Sequence, residues 1–184
     1  MNTKKLVRSA KTGSNEAFQE LMDKEKVRLY KIAYVYVKNE ENALEIFQET
    51  VYKAYVSIKD LKEEKYFSTW ITRILINTAY EHLNKNKRVI PFENNALERK
   101  LTNNGTVDSF VSQLVEESEL LRYIKELDVK YKTVIILRFY KDYTIKQISS
   151  ILECPEGAVK TNIHRAISIL RDKMKEDYAN ERRL

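Results

Sequence analysis

Lys160, Thr161, His164 and Arg165 stand three and four residues apart, so on a helix they share one face. Two cations, a hydroxyl and an imidazole on one face can grip phosphate oxygens and reach base edges in a DNA groove. Lys85, Lys87 and Arg88 form a second basic cluster in the other half of the chain. Two basic surfaces fit two contacts with a polyanion, although solvated helix faces show the same pattern. Catalytic chemistry finds less. His82 and His164 fall on separate basic stretches with no Ser/His/Asp set legible beside either, and no catalytic residue is assigned. Cys154 is the single cysteine, so neither a disulfide framework nor a zinc site of the usual kinds can be written, and it is expected as a partly buried turn residue. Gly13, Gly105 and Gly157 are the only glycines, which excludes G-x-G-x-x-G and P-loop phosphate cradles. No metal, cofactor or small-molecule substrate is expected.

Whatever positions these residues is helical. Around Lys160 the sequence reads as two short helices and a tight turn. Thr144 and Gln147 fit a capping box that opens a helix with Ile145, Ile148 and Leu152 inward. Glu153-Cys154-Pro155 interrupts it, Pro155 suits the first turn of the next helix, and Val159, Ile163, Ile167 and Leu170 give that helix its buried stripe. This is the pattern of a helix-turn-helix whose second helix enters the major groove, and a generic helical hairpin has it too. Upstream, Leu44, Phe47, Val51, Tyr55 and Ile58 recur at helical spacing and predict an inward stripe. Glu45, Gln48 and Glu49 share the opposite face. Ile71, Ile74, Leu75, Thr78 and Leu83 predict another helix, with Trp70 more core than surface. No alternating strand pattern competes.

Between Val89 and Val115 the periodicity lapses into Pro91, Asn94, Asn95, Asn103, Asn104 and Gly105, which predicts a flexible linker. Its 27 residues reach ~90 Å fully extended and roughly 30 Å on average as a coil. The expected fold is all-α, with two small helical domains, 1–90 and 116–184, joined by a linker over 91–115. The 184 residues carry a formal charge of +6 and 43% hydrophobic residues, enough for packed cores and too much for a disordered chain. The longest apolar run, Ile32 to Val37, is far short of the ~18 residues that span a bilayer, and no apolar leader follows the basic N-terminus. A cytoplasmic protein is expected.

The segment YTIKQISSILECPEGAVKTNIHRAISILRDKM resembles region 4 of bacterial sigma factors of the extracytoplasmic-function (ECF) group. EIFQETVYKAY, from Glu45, resembles the core-polymerase-binding helix of region 2, and FSTWITRILINTAYEHLNKNKR, from Phe67, resembles the promoter-melting helix that follows it. The resemblance implies that Glu45, Gln48 and Glu49 dock on the clamp helices of the polymerase β′ subunit. It implies a loop from Asp60 to Thr69 that cups a flipped base of the minus-ten element, and a minus-ten set of Lys65, Tyr66, Phe67, Asn77, Tyr80, Lys85, Lys87 and Arg88. Aromatic walls, an amide and cations are what an unstacked strand needs. It further implies that Lys160, Thr161, His164 and Arg165 read the minus-thirty-five element, and that the second domain meets the β flap. Glu153 stands where the family commonly has glycine, at a cost of ~1 kcal/mol if the backbone there is left-handed.

The function so implied is promoter-specific transcription initiation in a stress response, with core RNA polymerase and promoter DNA as partners and a membrane-anchored anti-sigma factor as restraint. The alternative is a one-component helix-turn-helix regulator that binds DNA as a dimer. It leaves the two upstream motifs without a role.

Overall fold

The computed structural model describes residues 2–88 and 119–181, and the linker expected over 91–115 lies outside these residues. Among the described residues every regular element is helical. The first unit comprises α1 (Thr3–Lys11), α2 (Asn15–Val37), α3 (Glu40–Ser57) and α4 (Phe67–Arg88), with short 3₁₀ turns at Ile58–Asp60 and Glu64–Tyr66 before α4. The second comprises α5 (Glu119–Glu126), α6 (Val129–Ile135) running into a π-helical turn at Ile136–Tyr140, α7 (Ile145–Leu152) and α8 (Glu156–Glu181).

Several starts have a local cause. Ser14 accepts from the Ala17 amide and Asn39 from the Asn42 amide, so short polar side chains take up orphan donors at the N-termini of α2 and α3. The capping box on α7 is complete: Thr144 Oγ1 accepts from the Gln147 amide, and Gln147 Oε1 accepts from the Thr144 amide at 2.9 Å. Pro155 sits one position outside α8, where its carbonyl accepts from Ala158 and Val159. It is therefore a cap and not a first-turn residue. After α6, Lys141 bonds back five residues to Ile136, and left-handed Asp142 (φ 53°) turns the chain so that Tyr143 bonds to Leu137.

The inner face of α3 keeps Phe47, Val51 and Ile58 of the expected stripe against the core, but is centred elsewhere. Ala43, Ile46, Thr50 and Ala54 are the buried positions, while Leu44 is 39% and Tyr55 51% exposed. Small residues let α3 approach its neighbours closely, and the large side chains flank the contact. Tyr55 lies over Phe18 edge-on at 5.2 Å and donates to Asn15 Oδ1. The stripe on α4 follows expectation, with Ile71, Leu75 and Thr78 buried and Ile74 and Leu83 packed at its edge. On α8, Val159, Ile163, Ala166 and Leu170 are buried.

The two units do not stand apart. One apolar cluster runs from Leu6 to Leu170 through both, and polar contacts cross the seam. The Tyr36 hydroxyl lies 2.6 Å from Thr133 Oγ1, which spends its own proton on the Val129 carbonyl, so Tyr36 donates. Tyr80 approaches the same Thr133 oxygen at 3.3 Å. The Tyr143 hydroxyl sits between Ser68 and Thr72 on the first turns of α4, at 3.2 and 3.3 Å. Lys141, buried, pairs with Glu25 of α2 at 3.5 Å, Lys125 lies over the Tyr34 ring at 4.5 Å, and Arg73 of α4 pairs with Glu153.

Candidate nucleic-acid interface

Three surfaces carry the residues singled out by sequence. On α3, Glu45, Gln48 and Glu49 are all exposed on one face. Lys53 holds this face to α4 by bridging Glu49 (3.6 Å) and Glu81 (2.7 Å), and Glu45 lies 3.8 Å from His82. The face is less polar than the sequence suggested. Leu44, Tyr52 (64% exposed) and Val56 stand among the acidic residues. An apolar centre with an acidic and amide rim suits a protein partner carrying cations around an apolar ridge.

The second surface is the loop before α4 and the outer face of α4. Arg8 pairs with Glu64, and Lys11 donates to the Leu61 carbonyl, so α1 clamps the loop from behind. The Glu64 carboxyl is held below its usual range by its backbone hydrogen bond and then by Arg8. Tyr66 is exposed and Lys65 lies against its ring at 4.7 Å while pairing with Glu63, which strengthens the hold on the Lys65 proton. Phe67 corrects the expectation. At 1% exposure it belongs to the core beneath the loop, with Trp70 half-buried against it at 6.0 Å. It supports the loop and has no face to offer a base. Asn77 and Lys85 are exposed. Tyr80 is half-buried beneath the second unit. The side chains of Lys87 and Arg88 lie outside the described residues. Around Asn77 the structure gathers Arg73, Tyr80, Lys130, Glu153 and Asn162 into one cleft. Three of these come from the second unit, at sequence distances that no local pattern marks.

The third surface is the outer face of α8. Lys160, Thr161, His164 and Arg165 are all exposed, opposite the buried Val159, Ile163 and Ala166. Thr161 spends its proton on the Gly157 carbonyl, which leaves its oxygen free to accept. The turn is left-handed at Glu153 (φ 51°) and is locked where Ser149 donates to the Cys154 carbonyl at 2.6 Å. Cys154 is half-buried, as expected. The far end of α8 is tied to α5 by Lys173–Glu126 and by Asp177, which takes both Arg122 and Tyr123. Beside this tie Leu120, Ile167, Leu170, Met174 and Tyr178 form an apolar groove rimmed by Arg171 and Lys175.

Among the described residues no three His, Cys, Asp or Glu side chains are placed to hold a metal, and no helix is long and apolar enough to cross a membrane. The surfaces carry the means to bind, through charge, amides and aromatic rings.

Comparison with known proteins gives the same division. Residues 21–89 match the family model described as Sigma-70 region 2, and residues 117–170 match Sigma-70, region 4. The chain is 30% identical over 184 residues to the ECF RNA polymerase sigma factor SigW of Bacillus subtilis, covering 96% of this chain and 98% of the relative. It is 32% identical over 149 residues to the RNA polymerase sigma factor SigV of the same organism, covering 80% and 86%. Among solved structures, CnrH in complex with the cytosolic domain of CnrY matches with a TM-score of 0.69 at 19% identity, covering 95% of this chain and 98% of that one. The sigma factor RpoE in complex with the anti-sigma factor NepR from Bartonella quintana matches with a TM-score of 0.66 at 18% identity, covering 86% and 96%. At these identities the structural likeness speaks for the fold.

Proposed function

Because this chain belongs to the sigma-70 family, as a sigma factor of its extracytoplasmic-function group, we propose that it docks on core RNA polymerase through α3 and reads promoter DNA through α4 and α8. The observation that carries the reading is the separation of chemistries. An acidic and amide face with an apolar centre lies on α3, and an exposed basic face with hydroxyl and imidazole groups lies on α8. One is suited to protein and the other to DNA. In this division residues 1–90 hold the polymerase clamp and capture the melted minus-ten strand. Residues 116–184 bind the duplex minus-thirty-five element and present the apolar groove between α5 and α8 to the β flap. The restraint is an anti-sigma factor, in keeping with the partners of the structural neighbours, and a membrane anchor on it is part of the same proposal. A dimeric one-component regulator accounts for residues 117–170 and leaves the match over 21–89 without a purpose.

The docking face is tested by Glu49→Lys combined with Gln48→Ala. Both positions are exposed, so stability should change by no more than ~0.5 kcal/mol each. Co-purification with core polymerase should fall to background while helical content is unchanged. Retention at the level of the parent chain refutes the assignment.

The reading face is tested by Arg165→Ala. Loss of a bidentate base contact removes ~1–3 kcal/mol of discrimination, so promoter choice should relax at one position of the upstream element. Lys160→Ala serves as the phosphate comparison, weakening all promoters alike and lowering the salt slope by about one. A panel of single-base promoter variants ranked identically by Arg165→Ala and the parent chain removes Arg165 from base reading.

A further inference from the structure

The loop from Asp60 to Thr69 is fixed at its two ends and open between them. Ile58 and Leu61 at one end and Phe67 at the other are buried, while Lys62, Glu63, Lys65 and Tyr66 are exposed. Two backbone bonds shape the stretch, from the Leu61 amide to Ile58 and from the Tyr66 amide to Glu63. Among the described residues, the polar contacts that reach 61–66 from outside come from α1: Lys11 donates to the Leu61 carbonyl, and Arg8 pairs with Glu64 at 3.5 Å. We propose that Arg8 and Lys11 are positioning residues for promoter choice: they set the shape of the base-reading loop, so that α1 helps decide which minus-ten base is accepted without contacting it. This inference rests on the assignment of that loop as the reader of the flipped base, and it concerns a helix outside the match over residues 21–89.

The helix has the build of a fixed strut. Leu6, Val7 and Ala10 are buried, Asn2 caps the first turn by accepting from the Lys4 amide, and α1 packs on both 3₁₀ turns of the loop. Arg8 and Lys11 lie three residues apart, so one face of α1 spans the loop from Leu61 to Glu64. Their grips differ. A trans peptide sets its N–H opposite its C=O, so an ammonium on the Leu61 carbonyl also fixes the direction of the Lys62 amide. Arg8 meets a side chain instead and is 75% exposed, so water screens that pair. The larger effect therefore belongs to Lys11. A loop discriminates between bases only while the groups that favour one are held where they disfavour the others. Released from α1, the same loop adapts to several bases, and preference falls while the fold beneath stays intact.

The test uses the full chain bound to core polymerase and a pool of twelve-nucleotide single strands randomised at every position, the bound strands being sequenced. Lys11→Met keeps the apolar stem and removes the ammonium. It should cut base preference about tenfold at one position of the strand, the worth of one bond to a charged group, and leave the other positions and the melting temperature as they are. Lys11→Arg, which again reaches the carbonyl, should restore the preference. Arg8→Glu, at an exposed site, should lower it about threefold, and adding Glu64→Arg should recover it. Lys5→Met removes the same charge from an exposed position of the same helix and should change nothing. Unchanged preference in Lys11→Met overturns the inference, and so does an equal loss at every position, which marks a merely structural role. A loop variant with Lys62, Glu63, Lys65 and Tyr66 all replaced by Ala separates the two levels. If it alters preference at one position while Lys11→Met does not, the loop reads the base and α1 has no part in it. If neither variant alters preference, or the parent shows none, the assignment of the loop falls together with the inference.

Discussion

A chain lacking about fifteen residues between Asn94 and Ser109 initiates at no promoter of natural spacing, although both helical units stay folded and each still meets its own target. Promoter elements two helical turns apart are separated by about 70 Å along the duplex. The 27 residues from Val89 to Val115 cover that gap together with the widths of the units, whereas the roughly twelve that survive the deletion reach only ~40 Å at full extension. Transcription in vitro with core polymerase should fall to background while the melting temperature changes little. Bringing the two elements closer should rescue DNA binding in part and initiation hardly at all, because the polymerase fixes both docking sites. Normal initiation by the shortened chain at an unaltered promoter overturns the division of labour between the two units.

The second large effect is on stability against pH. Lys132 is 4% exposed, donates to the Lys125 carbonyl at 2.9 Å, and has its ammonium pushed down to about 8 by burial and then by the charge of Lys38. Below pH 8 both folded and unfolded chains carry the proton, and the fold bears the full cost of a buried charge. Between pH 8 and the unfolded value near 10.5 the folded chain releases the proton while the unfolded chain keeps it, so stability climbs with pH. From pH 7 to 9.5 the gain is about 2 kcal/mol, or roughly 1 M in the urea midpoint. Tyr36 sets the upper limit: burial holds its hydroxyl neutral well above the usual tyrosine range, so stability falls again once unfolded tyrosines ionise past about pH 10. Lys132→Met should flatten the climb and be the more stable form at pH 7. Lys141, pushed down by its own burial, acts in the same direction, so the difference between the chain and the variant isolates Lys132. An unchanged climb in Lys132→Met assigns the effect elsewhere.

How much of this was readable follows from how local each feature is. The Thr144–Gln147 box and the stripes on α4 and α8 depend on residues within a turn or two of one another, and the sequence predicts them directly. On α3 the sequence places Phe47, Val51 and Ile58 against the core correctly and Leu44 and Tyr55 wrongly, because much of the close contact is made by Ala43, Thr50 and Ala54, which a search for large apolar residues passes over. Only the family resemblance puts Phe67 among the DNA-facing residues, and its burial removes it from them. An aromatic ring at a helix start looks the same in sequence whether it turns to the core or to a base. The exposed polar face of α3 is legible in Glu45, Gln48 and Glu49, whereas exposed Tyr52 and Val56 are not, since apolar residues on a helix are first read as inward. Least legible was the seam between the units. It is written in Tyr36–Thr133, Ser68–Tyr143 and Glu25–Lys141, pairs 75 to 116 residues apart that leave no periodic trace.

Hydroxyl groups form much of that seam, and this bears on how fast it can part. Interlocked branched side chains must lose their contacts together before water can enter, which makes a high barrier. The hydroxyls of Tyr36, Tyr80, Ser68, Thr72 and Tyr143 lie along the seam, and once the units part each can bond to water in place of its partner. Separation that unfolds neither unit belongs to the rigid-body domain motions, which run in microseconds to milliseconds. Parting the units therefore leaves hydroxyls facing water on both sides, where a wholly apolar seam would leave bare hydrocarbon.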